Sequence, residues 1–249
     1  DWVDGPDSDS FNTEGTLFTF MAEIALLDFN NGHPNVGCAA LERAARSHGH
    51  VVGIIDVRGG QALPQGFDAV LTSGGPGSPL DQAEWASPLF AWFRQALEEQ
   101  RPILAICFGF QMLCRAVGGK IFERKESRLG LYDLCPTEAG RQDPWLAAAL
   151  PSAVFLQHRF GVQDLDGQVL ASGAEGDVLA ARFGPAAVGC MFHPEACPET
   201  TTAWLEDPGV QAKLEMRHSA VGWTDMIEKV PRLERSSRAL LHGFLSCLD

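Results

Sequence analysis

Continuous apolar runs alternate with helical patterns over the first half of the chain, and this alternation constrains the fold more than any other feature. The apolar runs are AEIALLDF, VVGIIDV, FDAVLT and PILAIC, which begin at Ala22, Val51, Phe67 and Pro102. A strand with apolar residues on both faces is typical of a parallel sheet that helices cover on both sides. Segments between the runs, such as VGCAALERAARS from Val36, have the spacing of amphipathic helices. Strand–helix–strand units of this kind predict a parallel sheet with right-handed crossovers.

The second half of the chain has a different pattern. From about Leu129 short strand patterns follow one another between turns, and from Glu199 the sequence is helical and charged. We therefore predict an α/β fold with a flavodoxin-like, open and mainly parallel sheet, helices on both faces, an antiparallel strand extension and a helical C-terminal tail. The predicted organisation is an acidic extension over residues 1–20, one domain over 21–198, and a helical extension over 199–249 packed on that domain.

Charge and composition narrow the classes of partner. The 249 residues have a formal net charge of −13 and contain no run of Lys or Arg. Nucleic acids and anionic membranes bind basic surfaces, so neither is an expected partner. No apolar run reaches the roughly 20 residues of a membrane-spanning helix. The seven cysteines are scattered without a CxxC pair, which argues against a disulfide framework or a zinc site and favours a reducing, cytoplasmic environment. We expect no metal and no cofactor.

Cys107 stands where the fourth apolar run meets the next helical pattern. A side chain presented on a sharp strand-to-helix turn needs small neighbours two residues before and after it, and Ala105 and Gly109 occupy those positions. The turn places the thiol near the N-terminus of the following helix, which favours the thiolate. The amide of Phe108 then becomes a candidate donor to an oxyanion. The alternative is a small buried core residue, and this segment alone does not separate the two.

A glycine-rich loop follows the third apolar run. The loop is TSGGPGSP, residues Thr72–Pro79, whose glycines allow the backbone to approach a ligand closely. A second oxyanion donor is expected from the carboxyl end of a neighbouring strand, and the amide of Gly75 is the candidate. The alternative is an ordinary glycine-rich turn. A phosphate-binding loop is disfavoured because no Lys-Ser/Thr pair follows.

A base and an acid that could orient it stand at the end of a later apolar strand. In GCMFHPEA, His193 and Glu195 are two residues apart, so in an extended chain both side chains can point to one side. The carboxylate can then hold the imidazole tautomer that a cysteine nucleophile requires. His158 ends another strand pattern and could border the pocket. The other histidines fall in loops or on solvated helical faces: His33, His48, His50, His218 and His242.

Three ordered motifs resemble one family. AICFGFQ resembles the G-x-C-x-G-x-Q signature of class I glutamine amidotransferases, MFHPE resembles their Q-F-H-P-E, and SGGPGSP resembles their oxyanion loop. The resemblance runs from about Ala22 to Ala196. It implies that Cys107 is the nucleophile, His193 the base and Glu195 its orienting acid.

The resemblance implies further roles around the same site. Gly75 and Phe108 would supply the oxyanion amides, and Gln111 would help to hold the backbone end of a substrate L-glutamine. The strand end Gln157–Gly161 would contribute contacts to the same end of the substrate. The candidate substrate-binding residues in that stretch are His158, Arg159 and Phe160.

Some positions depart from the family pattern. Ala105 replaces the glycine before the cysteine and is still small, and Met191 replaces the glutamine of Q-F-H-P-E. The segment Asn31–Gly37 is unusual, as is the helical tail. Within the family, SGGP and LYDLCPTEAG are closest to the amidotransferase domain of GMP synthetases. No P-loop or SGGxDS-like loop is visible, so we expect ATP activation of an ammonia acceptor on another polypeptide.

The resemblance implies a glutaminase that cleaves the side-chain amide of glutamine through a γ-glutamyl thioester on Cys107 and releases ammonia for a synthase partner. Two alternatives stay open. One is an amidase of the same fold that acts on another γ-glutamyl compound, and the other is a non-catalytic regulatory homologue. The intact set of Cys107, His193 and Glu195 weighs against the regulator.

Overall fold

The computed structural model describes residues 21–29, 36–173, 175–196 and 220–248. The predicted acidic extension lies outside these residues, as do most of the segment Asn31–Gly37 and the start of the C-terminal extension. The described residues form nine strands and six α-helices. None of these helices is long and apolar enough to cross a membrane.

The first half of the chain alternates strand and helix as predicted. Its elements are β1 (Glu23–Asp28), α1 (Val36–Ser47), β2 (Val51–Asp56), β3 (Ala69–Thr72), α2 (Ala86–Glu98), β4 (Ile103–Ile106) and α3 (Phe108–Ala116). The second half contains β5 (Lys120–Asp133), α4 (Glu138–Gln142), α5 (Pro144–Ala147), β6 (Ala153–Gln163), β7 (Gln168–Ser172), β8 (Val178–Phe183), β9 (Ala187–Cys190) and α6 (Ala220–Leu245).

The main sheet has seven strands in the order β2-β1-β3-β4-β9-β8-β7. Its first five strands are parallel, and β8 and β7 extend it in the antiparallel sense. The four residues of β3, β4 and β9 are all buried, as expected for central strands with both faces covered. The predicted α/β fold, with its mainly parallel sheet and antiparallel extension, is confirmed.

The strands β5 and β6 form a separate antiparallel pair with a register shift between Glu123 and Arg128. β5 begins at Lys120 and is therefore longer than the strand pattern that the sequence indicates from about Leu129. The missed part is the charged stretch before Arg128, where several side chains face solvent. Charged residues on a solvated strand give no apolar alternation, so pairing with β6 decides their structure.

The C-terminal helix α6 packs on the rest of the described fold. Leu240, Phe244 and Leu245 join the hydrophobic core. The indole nitrogen of Trp145 in α5 donates a hydrogen bond to the carbonyl of Leu240 at 3.0 Å. His50, which precedes β2, forms a hydrogen bond of 3.3 Å to the carbonyl of Leu245. These contacts hold α6 on the described fold, while the bounds 21–198 and 199–249 stay predictions.

A buried ion cluster fixes the β5–β6 pair to the connection between β7 and β8. The Asp177 carboxylate is fully buried and accepts hydrogen bonds from Arg124 at 2.8 Å and from Arg128 at 3.2 Å. Arg124 is 2% exposed and also pairs with Glu175 at 2.6 Å. A buried charge is tolerated only when it is paired, so Asp177 compensates two guanidinium groups at once.

We expect Asp177→Ala to destabilise the protein by about 3 to 5 kcal/mol, because removal of one partner leaves buried charges without compensation. The free energy of unfolding in urea measures the effect. The matched control is Lys120→Ala, which removes an exposed ion pair with Asp164 and should leave the unfolding midpoint unchanged. Equal midpoints for the two variants would contradict the role of the buried cluster.

Candidate active site

Cys107 occupies a strained turn between β4 and α3. Its backbone has φ 48° and ψ −105°, a conformation that residues other than glycine rarely adopt. Such strain is kept only where the surrounding structure fixes it, and it clusters at functional sites. The Cys107 amide donates to the carbonyl of Cys190 at 2.7 Å, which ties the turn to the end of β9.

The small residues around the turn have a visible steric cause. An added Cβ on Gly109 would lie 1.8 Å from Oγ1 of Thr72, the last residue of β3. The same hydroxyl oxygen accepts a hydrogen bond from the amide of Ile106 at 3.0 Å. Thr72 therefore occupies the space beside the turn, and only glycine fits at position 109. Ala105, two residues before the cysteine, is fully buried.

His193 and Glu195 lie just beyond β9 and are hydrogen-bonded to each other. The Nδ1–H of His193 donates to Oε1 of Glu195 at 2.7 Å. The His193 side chain also interacts with Cys107 through a hydrogen bond. Because Glu195 engages Nδ1, the Nε2 atom is left for the sulfur. The structure thus brings the three predicted catalytic residues into one chain of contacts.

The charges of this chain of contacts determine the protonation of His193. Burial lowers the pKa of His193, but the Glu195 carboxylate and the Cys107 thiol raise it, and the net pKa lies well above 6.5. The contacts with Glu195 and Cys107 therefore favour the protonated form of the imidazole.

The other buried cysteines are in a different electrostatic environment. Burial, followed by the charges of Asp28, Glu42 and Glu195, raises the pKa of Cys38 to about 12. Burial also raises the pKa values of Cys114 and Cys190 well above the ordinary thiol value. These three side chains stay neutral thiols at neutral pH.

The glycine-rich loop after β3 runs directly over the catalytic candidates. An added Cβ on Gly74 would lie 2.9 Å from Cε1 of His193 and 3.5 Å from Cβ of Cys107. The predicted donor Gly75 is the next residue, and the other predicted donor, Phe108, is the first residue of α3. The first amides of a helix have no acceptor within it, so the Phe108 N–H is available for a ligand.

The middle of β6 forms a further side of the site, because residues 157–161 lie inside the strand Ala153–Gln163 and not at a strand end as the sequence predicted. The carbonyl of Gln157 lies 3.7 Å from Sγ of Cys107. Gln111 in α3 is buried and donates from Nε2 to the carbonyl of Phe160 at 3.0 Å. Gln111 thereby fixes β6 next to the turn that carries Cys107. The side chain of Arg159 is 68% exposed and forms an ion pair with Glu123, so it faces solvent.

His158 is buried at the same place. Its Nδ1–H donates to the carbonyl of Phe160 at 2.9 Å. Burial lowers the pKa of His158 to about 4, and the nearby Arg128 and Arg124 also lower it, against opposing contributions from the Phe160 hydrogen bond and Asp177. The ring is therefore neutral at pH 7. Its buried Nε2 is an acceptor for which the described residues supply no donor.

Two residues at the site escaped the sequence analysis. Thr72 carries the hydroxyl that constrains the turn, and Gly74 is the glycine closest to His193 and Cys107. A signal for both existed, since a threonine ends an apolar run and two glycines follow it. The described residues contain no group of three or more His, Cys, Asp or Glu side chains that could hold a metal ion.

Comparison with known proteins assigns the chain to a family. The family described as "Glutamine amidotransferase class-I" matches residues 39–212, which is more than two thirds of the chain. The protein therefore belongs to the class-I glutamine amidotransferase family, and the resemblance inferred from three short motifs is confirmed at that level. The matched region includes Cys107, His193 and Glu195.

Individual relatives cover only part of the molecule. The glutamine amidotransferase-like protein YfeJ of Salmonella typhimurium is 31% identical over 112 residues, which are 41% of this chain and 46% of YfeJ. The GMP synthase (glutamine-hydrolyzing) of Aeropyrum pernix is 33% identical over 141 residues, 55% of this chain and 25% of that enzyme. The chain spans less than half the length of these curated relatives.

A solved structure supports the fold over nearly its full length. The crystal structure of a glutamine amido transferase from Methylobacillus flagellatus superimposes with a TM-score of 0.77 at 17% identity. The match covers 92% of this chain and 96% of that one. At such low identity the likeness shows the fold alone.

We expect Glu195→Gln to lower the pKa of His193, because the substitution removes a carboxylate that raises it. Titration of the imidazole ring protons by NMR measures the shift. Glu138→Gln is the control, since Glu138 is an exposed residue of α4 whose partners are Arg141 and Gln142. A His193 titration curve that is the same in all three proteins would contradict the assigned electrostatic role of Glu195.

Proposed function

We propose that this protein is a glutaminase of the amidotransferase type, which releases ammonia from the side-chain amide of L-glutamine. The observation that carries the proposal is the contact between Cys107, on its strained turn, and the His193–Glu195 pair with its 2.7 Å hydrogen bond. A nucleophile, a base and an orienting acid in this order form the arrangement required for covalent amide cleavage.

The proposed reaction has two halves. The Cys107 thiolate attacks the amide carbon of glutamine, and the carbonyl oxygen becomes an oxyanion. His193 gives its proton to the leaving nitrogen, the C–N bond breaks, and ammonia leaves a γ-glutamyl thioester on Sγ. A water molecule then gives a proton to His193 and attacks the thioester, so that glutamate leaves and the thiolate returns.

The amides of Gly75 and Phe108 are the proposed donors to the oxyanion in both halves. They stand on two segments that meet at Cys107, the loop after β3 and the start of α3. Fixed backbone donors aimed at a developing charge stabilise the transition state more than the substrate, which is why such groups accelerate the reaction.

The buried surface beyond Cys107 is the proposed site for the backbone end of glutamine. His158 and Phe160 are proposed to contribute through their backbone, because the His158 ring is buried, Nε2 included. Gln111 and the carbonyl of Phe160 hold this surface in place through their 3.0 Å hydrogen bond. Arg159 contributes through its backbone, since its side chain faces solvent.

The released ammonia is proposed to serve a synthase on a partner polypeptide. The relative from Aeropyrum pernix is named as a glutamine-hydrolyzing GMP synthase, a protein that joins the two activities. The partner surface is proposed to include the loop at residues 74–81 and the middle of β6 at 157–161. Leu80, in the first of these, is an exposed apolar side chain at 44%. The loop at Asn30–Val36 would complete this surface but lies almost wholly outside the described residues.

A diazo-ketone analogue of glutamine should label Cys107 in preference to the other cysteines, and Cys107→Ser should abolish both labelling and ammonia release. Peptide mapping by mass spectrometry identifies the labelled residue. Cys135→Ser is the matched control, because Cys135 is exposed and free, and it should keep full activity. Labelling at Cys38 or Cys190, or full activity of Cys107→Ser, would refute the proposal. Turnover of another γ-glutamyl amide without turnover of glutamine would favour an amidase.

We expect low glutaminase activity from the isolated chain and stimulation by a synthase partner, because glycine-rich oxyanion loops have the backbone freedom to be set by docking. Steady-state kinetics with and without fractions of the source cell extract measure the effect. Leu80→Asp on the proposed partner surface should reduce the stimulation and leave the basal rate unchanged. A high kcat/KM on free glutamine that no extract changes would contradict partner control.

A further inference from the structure

Arg58 is presented to the site by a turn that the sequence fixes. The turn follows β2, and Oδ1 of Asp56 accepts a hydrogen bond from the amide of Gly59 at 2.8 Å. The side chain of Gln61 accepts a second hydrogen bond from the amide of Asp56, also at 2.8 Å. An added Cβ on Gly59 would lie 2.2 Å from the Asp56 carboxylate. The backbone that carries Arg58 is therefore held on both sides.

The Arg58 guanidinium contacts three separate segments of the chain. Its Nη1 donates to the carbonyl of Pro76 at 2.5 Å and to the carbonyl of Phe29 at 3.3 Å. Its Cζ lies 5.7 Å from the centre of the Phe108 ring. Pro76 directly follows the proposed donor Gly75, and Phe108 carries the other proposed donor. One planar cation thus links the two halves of the oxyanion hole.

The glycine-rich loop is shaped around these contacts. An added Cβ on Gly75 would lie 2.8 Å from the carbonyl oxygen of Phe29, the oxygen that Arg58 also binds. Gly77 has φ +93°, a conformation that favours glycine, and its added Cβ would lie 3.2 Å from Nη2 of Arg58. The loop passes close over both the end of β1 and the guanidinium, and small residues are needed for both approaches.

An aromatic cluster lies beneath the loop. The ring centres of Phe29 and Phe108 are 5.3 Å apart, and Trp85 lies 6.1 Å from the first ring and 6.3 Å from the second. Arg58 contacts this cluster through the Phe108 ring and through the Phe29 carbonyl. Ring packing therefore fixes Phe108 from one side and the cation fixes it from another.

The partners of Arg58 separate it from the ion-paired arginines of the protein. No carboxylate of the described residues lies within ion-pair distance of Arg58, whose partners are carbonyl oxygens and a ring. Both carbonyls accept from Nη1, and the planar guanidinium also faces the Phe108 ring. A lysine could donate to the two carbonyls but lacks the planar group that stacks on the ring.

We propose that Arg58 is a positioning residue, which sets the distance between the amides of Gly75 and Phe108 so that both donate to the same oxyanion. The proposal rests on the proposed glutaminase function. Arg58 acts through the loop and the Phe108 ring and does not touch the reacting atoms. Arg58 should affect kcat more than KM, because the oxyanion develops during the reaction and is absent from the bound substrate.

Arg58→Gln should lower kcat by about 10- to 100-fold and leave KM within about twofold, since loss of a whole oxyanion donor costs about 100- to 1,000-fold and misplacement costs less. The substrates are L-glutamine and γ-glutamyl p-nitroanilide, with the full chain. Arg58→Lys should recover part of kcat. The rate of Cys107 alkylation by iodoacetamide should stay unchanged, because that reaction needs no oxyanion hole.

Arg101→Gln is the matched control. Arg101 also binds a carbonyl, that of Phe67, and lies 4.5 Å from the centre of the Phe67 ring, and it forms an additional ion pair with Glu99. Arg101 precedes β4 and Phe67 precedes β3, so both lie at the amino ends of the parallel strands, opposite to the carboxyl ends where Cys107 lies. We therefore expect kcat to be unchanged. If Arg58→Gln and Arg58→Lys both have the same kcat as Arg101→Gln, the positioning role is refuted while the proposed function stands.

Two further results would overturn the inference. A parallel loss of kcat and of Cys107 alkylation in Arg58→Lys would mean that Arg58 supports the whole site and not the oxyanion hole. A wild-type chain that hydrolyses neither substrate would refute the proposed function, and the positioning role with it. The wild-type measurement therefore distinguishes failure of the function from failure of the Arg58 proposal.

Discussion

The parallel pairing of β4 with β9 is the interaction on which the candidate site depends. Residues that are 84 positions apart, Ile106 and Cys190, are register partners in this pair, and the Cys107 amide donates to the carbonyl of Cys190 at 2.7 Å. The carboxyl ends of the two strands therefore lie at one level of the sheet. The turn with Cys107 leaves one strand and the segment with His193 and Glu195 leaves the other. Since β3 pairs with β4 on its other side, the glycine-rich loop reaches the same edge.

The electrostatics of that edge give one cysteine a special environment. Cys107 contacts the imidazole of His193, whose pKa is raised, whereas burial raises the pKa of the thiols of Cys38, Cys114 and Cys190. The buried Glu195 carboxylate raises the pKa of His193 and accepts a hydrogen bond from its Nδ1. The strained backbone of Cys107 is held by hydrogen bonds and by close packing of Gly109 on Thr72. Backbone strain, neighbouring charges and close packing therefore all act on Cys107.

The glycine-rich loop combines backbone freedom with external restraint. Its glycines pass within contact distance of His193, Phe29 and Arg58, so each close approach excludes a larger residue. A loop of this composition has many conformations available, and contacts from the neighbouring strand ends select one of them. On this basis the precision of the proposed oxyanion hole comes from the residues around the loop, and a docking partner would act on the same contacts.

The sequence by itself determined the class of fold and the family, and it supplied the candidate residues of the site. Apolar runs alternating with helical patterns sufficed for the parallel sheet, and Cys107, His193 and Glu195 stood out because each follows a buried strand in a motif of the family. The sequence could not place the charged start of β5, since solvated strands have no apolar alternation. It also gave no sign of the contact between Thr72 and Gly109, of the unpartnered Nε2 of His158, or of Arg58 across the loop. Those features arise between segments distant in sequence, and only the order and register of the strands bring such segments together.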